Sequence, residues 1–117
     1  MEISEVSFQN NLPVTGYGTG FFRIGTSIFR GNRFIYKNKI FDWDGFSNSK
    51  IILRNSSEID VLFVGTGPDI KNIPSEFKKC IEKHGIGIEI MSTPTACRTY
   101  NVLLGEGRRI GAALLAL

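Results

Sequence analysis

Two stretches of the chain concentrate the residue types that can hold or transform a small anion. Gly65-Thr66-Gly67-Pro68-Asp69 follows one apolar run, and Ser92-Thr93-Pro94-Thr95-Ala96-Cys97-Arg98 follows another. Together they offer close-approach glycine backbone, hydroxyls, a thiol, a guanidinium and the amides of a starting helix, which is the chemistry of an anion site. The candidate ligand-binding residues are Gly65, Thr66, Gly67, Thr93, Thr95, Cys97, Arg98 and Asn101, with Arg108 as a further cation. The Gly-Thr-Gly triplet matches neither the dinucleotide GxGxxG nor the phosphate-cradling GxxxxGKS/T, so ordinary turns before a helix cap are an equal reading.

Cys97, in the first turn of a predicted helix beside Arg98, is the one catalytic candidate, because both neighbours favour a thiolate. The single histidine, His84, falls at the end of another helix and at the opposite end of the sheet, so no Cys–His pair forms. The more frequent fate of a free cysteine is burial as a small apolar residue. Cys80 reads as core. Asn101 competes with helix backbone at mid-helix and is expected to satisfy a buried loop instead. Arg108 or Arg109 binds an anion or pairs with Glu106 or Glu89. No cofactor and no metal is implied.

The elements that position these residues follow from periodicity. Ile3, Val6 and Phe8 suggest a short first strand, with Pro13 marking the connection behind it. Gly16, Gly18 and Gly20 open a β-ribbon, and Phe21–Ile24 and Ser27–Arg30 flank Gly25-Thr26, a glycine-first loop suited to a type II′ hairpin. Phe34–Tyr36 and Ile40–Trp43 extend the β-rich half. Residues 47–54 fit a short helix or a loop. Val61–Val64 reads as a buried central strand, Pro74 and Ser75 open a helix that Gly85 stops, and Ile86–Met91 alternates as a second, parallel strand. Thr95 is the expected N-cap of a helix to about Leu104. After an interruption at Gly105, Glu106–Leu117 reads as another helix, with Ile110, Ala113, Leu114 and Leu117 as its apolar stripe.

Composition narrows the classes. The chain has 117 residues, 42% hydrophobic and 21% charged, which suits a soluble globular domain and neither disorder nor a bare membrane span. Its +3 net charge is spread along the sequence, with Lys78-Lys79 and Arg108-Arg109 the densest pairs, so nucleic acid is not an expected partner. Cys80 and Cys97 form no CxxC, which fits a reducing compartment. The first eleven residues resemble neither a signal peptide nor a mitochondrial presequence, and the longest apolar stretch, Ile110–Leu117, is far below the roughly 20 residues of a membrane span. Phe21, Phe22, Phe29, Phe34, Tyr36 and Trp43 crowd the β-rich half, mostly as core. Aromatics on both faces of the ribbon would expose an apolar patch suited to a partner.

Gly16-Tyr17-Gly18, Trp43, Val64-Gly65-Thr66-Gly67, residues 85–91, Thr93, residues 96–103 and Glu106-Gly107-Arg108-Arg109 followed by Ala112-Ala113-Leu114 together resemble one small family. It is the domain-of-unknown-function family whose mitochondrial member is a respiratory complex I assembly factor and whose other animal member is the adipogenesis-associated protein. The likeness covers nearly the whole chain, read as one family domain over residues 1–117, and departs at Pro94, Thr95 and Gly105. It implies a three-layer α/β fold with a mixed central sheet, a β-ribbon addition and flanking helices. It also implies a non-enzymatic interaction or assembly protein linked to membrane-protein biogenesis. Such a bacterial, cytoplasmic relative would meet respiratory-complex or membrane-insertion components, as a homodimer or heterocomplex. The alternative is a small-anion-binding domain or enzyme using a cleft near Thr66 and Cys97.

Overall fold

Two almost continuously buried runs in the second half of the chain, Val61–Gly65 and Ile110–Leu114, build the centre of the fold. The structure, a computed structural model, describes residues 11–117 in full and residues 5–7 as backbone. Strand β1 is Glu5–Ser7; the expected contributions of Ile3 and Phe8 to it lie outside the described residues. Strands β2 (Val14–Gly18), β3 (Phe21–Ile24) and β4 (Ser27–Arg30) form an antiparallel ribbon. The expected hairpin joins β3 to β4, with a positive φ at Gly25 and none at Thr26, as a type II′ turn requires. Next come β5 (Arg33–Tyr36), β6 (Lys39–Asp42) and a one-turn helix α1 (Lys50–Leu53). They are followed by β7 (Val61–Gly65), α2 (Ser75–Lys83), β8 (Gly87–Met91), α3 (Thr93–Leu104) and β9 (Ile110–Leu114).

Among the described residues the main sheet has six strands in the order β1-β6-β5-β9-β7-β8. β7 pairs parallel with both β8 and β9, while β5 pairs antiparallel with β9 and β6. One face carries Phe34, Tyr36, Phe41, Leu62, Val64 and Ala113, packed against α1, α2 and Trp43. The opposite face carries Ile35, Ile40, Phe63, Ala112 and Leu114, packed against α3 and the inner side of the ribbon. The result is three layers, with a mixed sheet between helices on one side and helix plus ribbon on the other.

The expected C-terminal helix is instead strand β9, at the middle of the sheet. Ile110–Leu114 is buried along its whole length. A continuous apolar run satisfies a helical stripe and a strand covered on both faces equally well. Packing selects the strand, because a side chain at Gly111 would come within 3.2 Å of both Ile59 and Phe34, so only a small residue fits between β5 and β7. Gly105 therefore joins no pair of helices: it ends α3, and the chain turns through Gly107 (φ +73°) into β9. Ser92, not Thr95, is the N-cap of α3, its Oγ accepting from the Thr95 amide at 3.4 Å.

The ribbon leaves less apolar surface than its aromatics suggested. Phe22 is wholly buried, Phe29 beside it is half-buried, and the Phe21 ring fills the space that a side chain at Gly18 would take. Tyr17 and Ile28 remain exposed, at 37% and 52%.

Candidate functional site

The loops behind β7 and β8 do meet, as parallel neighbours must. Gly65 is in register with Met91, and the Thr66 amide continues the ladder to the Met91 carbonyl at 2.9 Å. Two open clefts of about 420 and 410 Å³ lie there, separated by Ile70. The first is bounded by Pro68, Asp69, Ile70, Met91, Ser92 and Thr95, and the second by Ile70, Lys71, Asn72 and Ile90.

The polar groups expected to face a ligand are turned into the protein. Thr93, with no exposed surface, donates its hydroxyl to the Leu115 carbonyl and accepts from the Gly67 amide, both at 2.8 Å. Its own amide donates to the Gly67 carbonyl at 2.8 Å. One side chain thus ties the β7 loop, the start of α3 and the chain behind β9. The Thr66 hydroxyl, likewise buried, sits 2.7 Å from the Asp69 carbonyl and accepts from the Lys71 amide at 3.0 Å, closing its loop on itself. Because Pro94 has no amide hydrogen, Thr95 N–H is capped by Ser92 and Ala96 N–H bonds the Ser92 carbonyl, the first turn of α3 has no free amide for an anion.

Thr95 is the predicted residue left at the rim of the first cleft, and Arg98 is bonded to it. Arg98 is exposed, donating to Thr95 Oγ1 at 3.2 Å and to the Tyr17 hydroxyl at 3.4 Å. Asn101 lies two turns along α3, where its carboxamide accepts from the Val14 amide and donates to the Val14 carbonyl, each at 2.8 Å. The side chain thus satisfies backbone away from its own helix, as expected, but the partner is a residue of strand β2 and not of a loop. Arg108 is exposed at the opposite end of the sheet, because β9 runs parallel to β7 and enters level with Val61. Arg109 pairs with Asp60 at 3.6 Å and with the Ser57 carbonyl, in place of Glu106 or Glu89. The wall residue Ile70, 65% exposed, was missed; an isoleucine set between Asp69 and Lys71 was the available signal.

Cys97 is 1% exposed within the core between α3 and the ribbon. Burial pushes its thiol up from 9.0 to about 12, outweighing the nearby Arg98 charge, which reverses the expected thiolate. In the folded protein Cys97 should resist a thiol reagent that labels half-buried Cys80, and both should react in denaturant. The sign of the pH effect follows. Above about pH 9 the unfolded thiol ionises while the folded one keeps its proton, so stability falls by up to about 1.4 kcal/mol per pH unit. Urea titrations of Cys97→Ala should show a flatter alkaline limb.

Tyr100, one turn further on, is wholly buried, and its hydroxyl is the buried side-chain polar atom without a partner among the described residues. Burial holds its phenol above the usual tyrosine pKa, the same direction as for Cys97. Tyr100→Phe should therefore stabilise the fold by about 1 kcal/mol, read from the urea midpoint, since it removes an unpaid desolvation cost and opens little space.

Fold and site together define a three-layer α/β domain whose loop hydroxyls and carboxamide serve the architecture. Among the described residues no helix is long and apolar enough to cross a membrane, and no cluster of three or more metal-ligating side chains occurs. The chain belongs to the family described as Protein of unknown function (DUF498/DUF598), which matches residues 14–115. It is 42% identical over 113 residues to an uncharacterised protein of Rhodobacter capsulatus, covering 97% of this chain and 91% of that one. It is 31% identical over 119 residues to the rat NADH dehydrogenase (ubiquinone) 1 alpha subcomplex assembly factor 3, covering 92% of this chain but 64% of the rat protein. The crystal structure of an outer membrane protein from Bartonella henselae superposes with a TM-score of 0.84 at 33% identity, covering 93% of this chain and 98% of that one.

Proposed function

We propose that this domain is a non-catalytic protein-binding module that acts from the cytoplasm in assembling a membrane-bound respiratory enzyme. The observation that carries the reading is the use made of the site's reactive groups. Thr66, Thr93 and Asn101 hold backbone segments together, and Cys97 is buried as a neutral thiol. The similarity to NADH dehydrogenase assembly factors supplies the kind of process. Deleting the gene should lower the amount of assembled NADH:quinone oxidoreductase on native gels, and wild-type and Cys97→Ala chains should restore it equally. Unchanged assembly in the deletion strain would overturn the reading, and a folded Cys97→Ala chain that fails to complement would favour chemistry at the thiol.

The alternative, a small anion in the cleft, is supported by Thr95 at its rim and by the Arg98 guanidinium bonded to Thr95. Inorganic phosphate should then move the amide resonances of residues 92–98, and the absence of any such shift would dispose of it.

A further inference from the structure

The free edge of the ribbon has a chemistry of its own. Ile24 and Ser27 flank the two-residue turn, and the Gly31 amide donates to the Gly20 carbonyl at 2.9 Å. These bracketing bonds fix the phase of the antiparallel ladder, so the pairs Arg23–Ile28 and Phe21–Arg30 are the non-hydrogen-bonded ones. The N–H and C=O groups of Ile28 and Arg30 accordingly point away from β3, along the outer edge of β4. Among the described residues nothing bonds to them. The Ile28 and Arg30 side chains stand with Arg23 on the outer face, and all three are exposed.

The stretch of chain that forms the ribbon carries charge of one sign. Residues 6–41 contain Arg23, Arg30, Arg33, Lys37 and Lys39 and no acidic residue. Arg33 is paired with Asp42 at 2.6 Å and Lys37 with Glu58 at 2.7 Å. Arg23 and Arg30 have no acidic partner among the described residues. A cationic edge hinders pairing with a second copy, which would bring four arginines onto one face, yet it complements an anionic strand. β8, a free edge of the main sheet, carries the exposed Glu89 and lacks this complementarity.

We propose that β4 is a docking edge for an extended acidic segment of a partner protein, which adds as a fourth strand to the ribbon. Main-chain bonds to Ile28 and Arg30 give the segment its register, Ile28 supplies an apolar contact, and Arg23 and Arg30 select carboxylates at alternate positions. The proposal deepens the protein-binding reading and rests on it.

The test titrates the purified full chain with a short peptide in which glutamate alternates with valine and threonine, and with its glutamine counterpart. Amide shifts centred on Ile28 and Arg30, weakening with salt and by at least about tenfold for the glutamine peptide, are expected. Arg23→Glu/Arg30→Glu, both on the surface, should abolish that preference, and Ile28→Pro, which removes an outward-facing N–H, should abolish binding. Equal response to both peptides, shifts centred elsewhere, or a concentration-dependent dimer through β4 would each overturn the proposal. Complementation separates the two readings. A double variant that restores assembly fully sinks the edge and spares the assembly role, whereas a deletion without effect sinks the assembly role itself.

Discussion

Gly65→Ala should lower the stability of this domain by about 3 kcal/mol, the upper range for forcing an extra carbon into a packed core. The added Cβ would lie 2.8 Å from both the Cα and the Oγ1 of Thr93, and 3.2 Å from Leu114. A Cα cannot swing aside as a side-chain tip can, so the start of α3 must shift. That shift strains the hydroxyl linking Gly67 to Leu115 and the amide bond back to the Gly67 carbonyl. The melting temperature should drop by roughly 10–20 °C, and the urea midpoint should fall with its slope unchanged. Two other glycines calibrate the result. Gly67 has φ +100° and open space around it, so Gly67→Ala costs backbone strain alone, about 1–2 kcal/mol. Gly87 has ordinary φ and no contact nearer than 3.7 Å, so its alanine variant should be almost neutral. A Gly65→Ala protein as stable as Gly87→Ala would refute the close-packed junction.

Asn101→Leu should uncouple the ribbon from the rest of the molecule. The carboxamide meets the N–H and the C=O of Val14 in one planar pair, and leucine leaves both unmatched at a strand residue that is 5% exposed. A loss of about 2–4 kcal/mol follows from orphaning two backbone groups at such a site. The ribbon is attached through few other polar contacts, among them Gly20 N–H to the Leu117 carbonyl and Arg98 to the Tyr17 hydroxyl. Amide exchange in β2, β3 and β4 should therefore accelerate while β7, β8 and β9 keep their protection. Asn101→Asp is the sharper variant, because it keeps an acceptor for the Val14 amide but sets a carboxylate oxygen against the Val14 carbonyl. Uniform acceleration across all strands would show instead that the ribbon and the main sheet open as one unit.

Much of this architecture is legible along the chain. The unit β7-α2-β8 follows from an apolar run, an amphipathic helix with Gly85 behind it (φ +83°), and a second strand returning parallel. The hairpin follows from Gly25-Thr26, and the internal role of Asn101 from its misfit in a helix. All three are local signals, in which turn chemistry or helix competition acts over a few residues. The family resemblance, with its three-layer fold, was legible for a related reason, since it is carried by long contiguous matches such as residues 96–103.

The failures share a different cause. Ile110–Leu114 is apolar in every direction, so no period within it separates helix from strand; its fate depended on Phe34 and Ile59 arriving from elsewhere in the chain. Cys97 has the neighbours of an activated thiol, but burial between α3 and the ribbon outweighs them. Thr66 and Thr93 have the types and spacing of ligand groups, yet their partners are carbonyls and amides of the loops beside them.

The sequence by itself determined the class of fold, the parallel pair that brings two loops together, and the acid-free stretch that sets the charge of the ribbon. Tertiary structure alone decided the placing of β9 at the centre of the sheet, the inward turn of the loop hydroxyls, the neutral state of Cys97 and the open edge of β4. The division is physical. Turns, caps and charge counts are set by neighbouring residues, whereas burial on both faces and the satisfaction of a polar group are set by whatever distant segment closes over them.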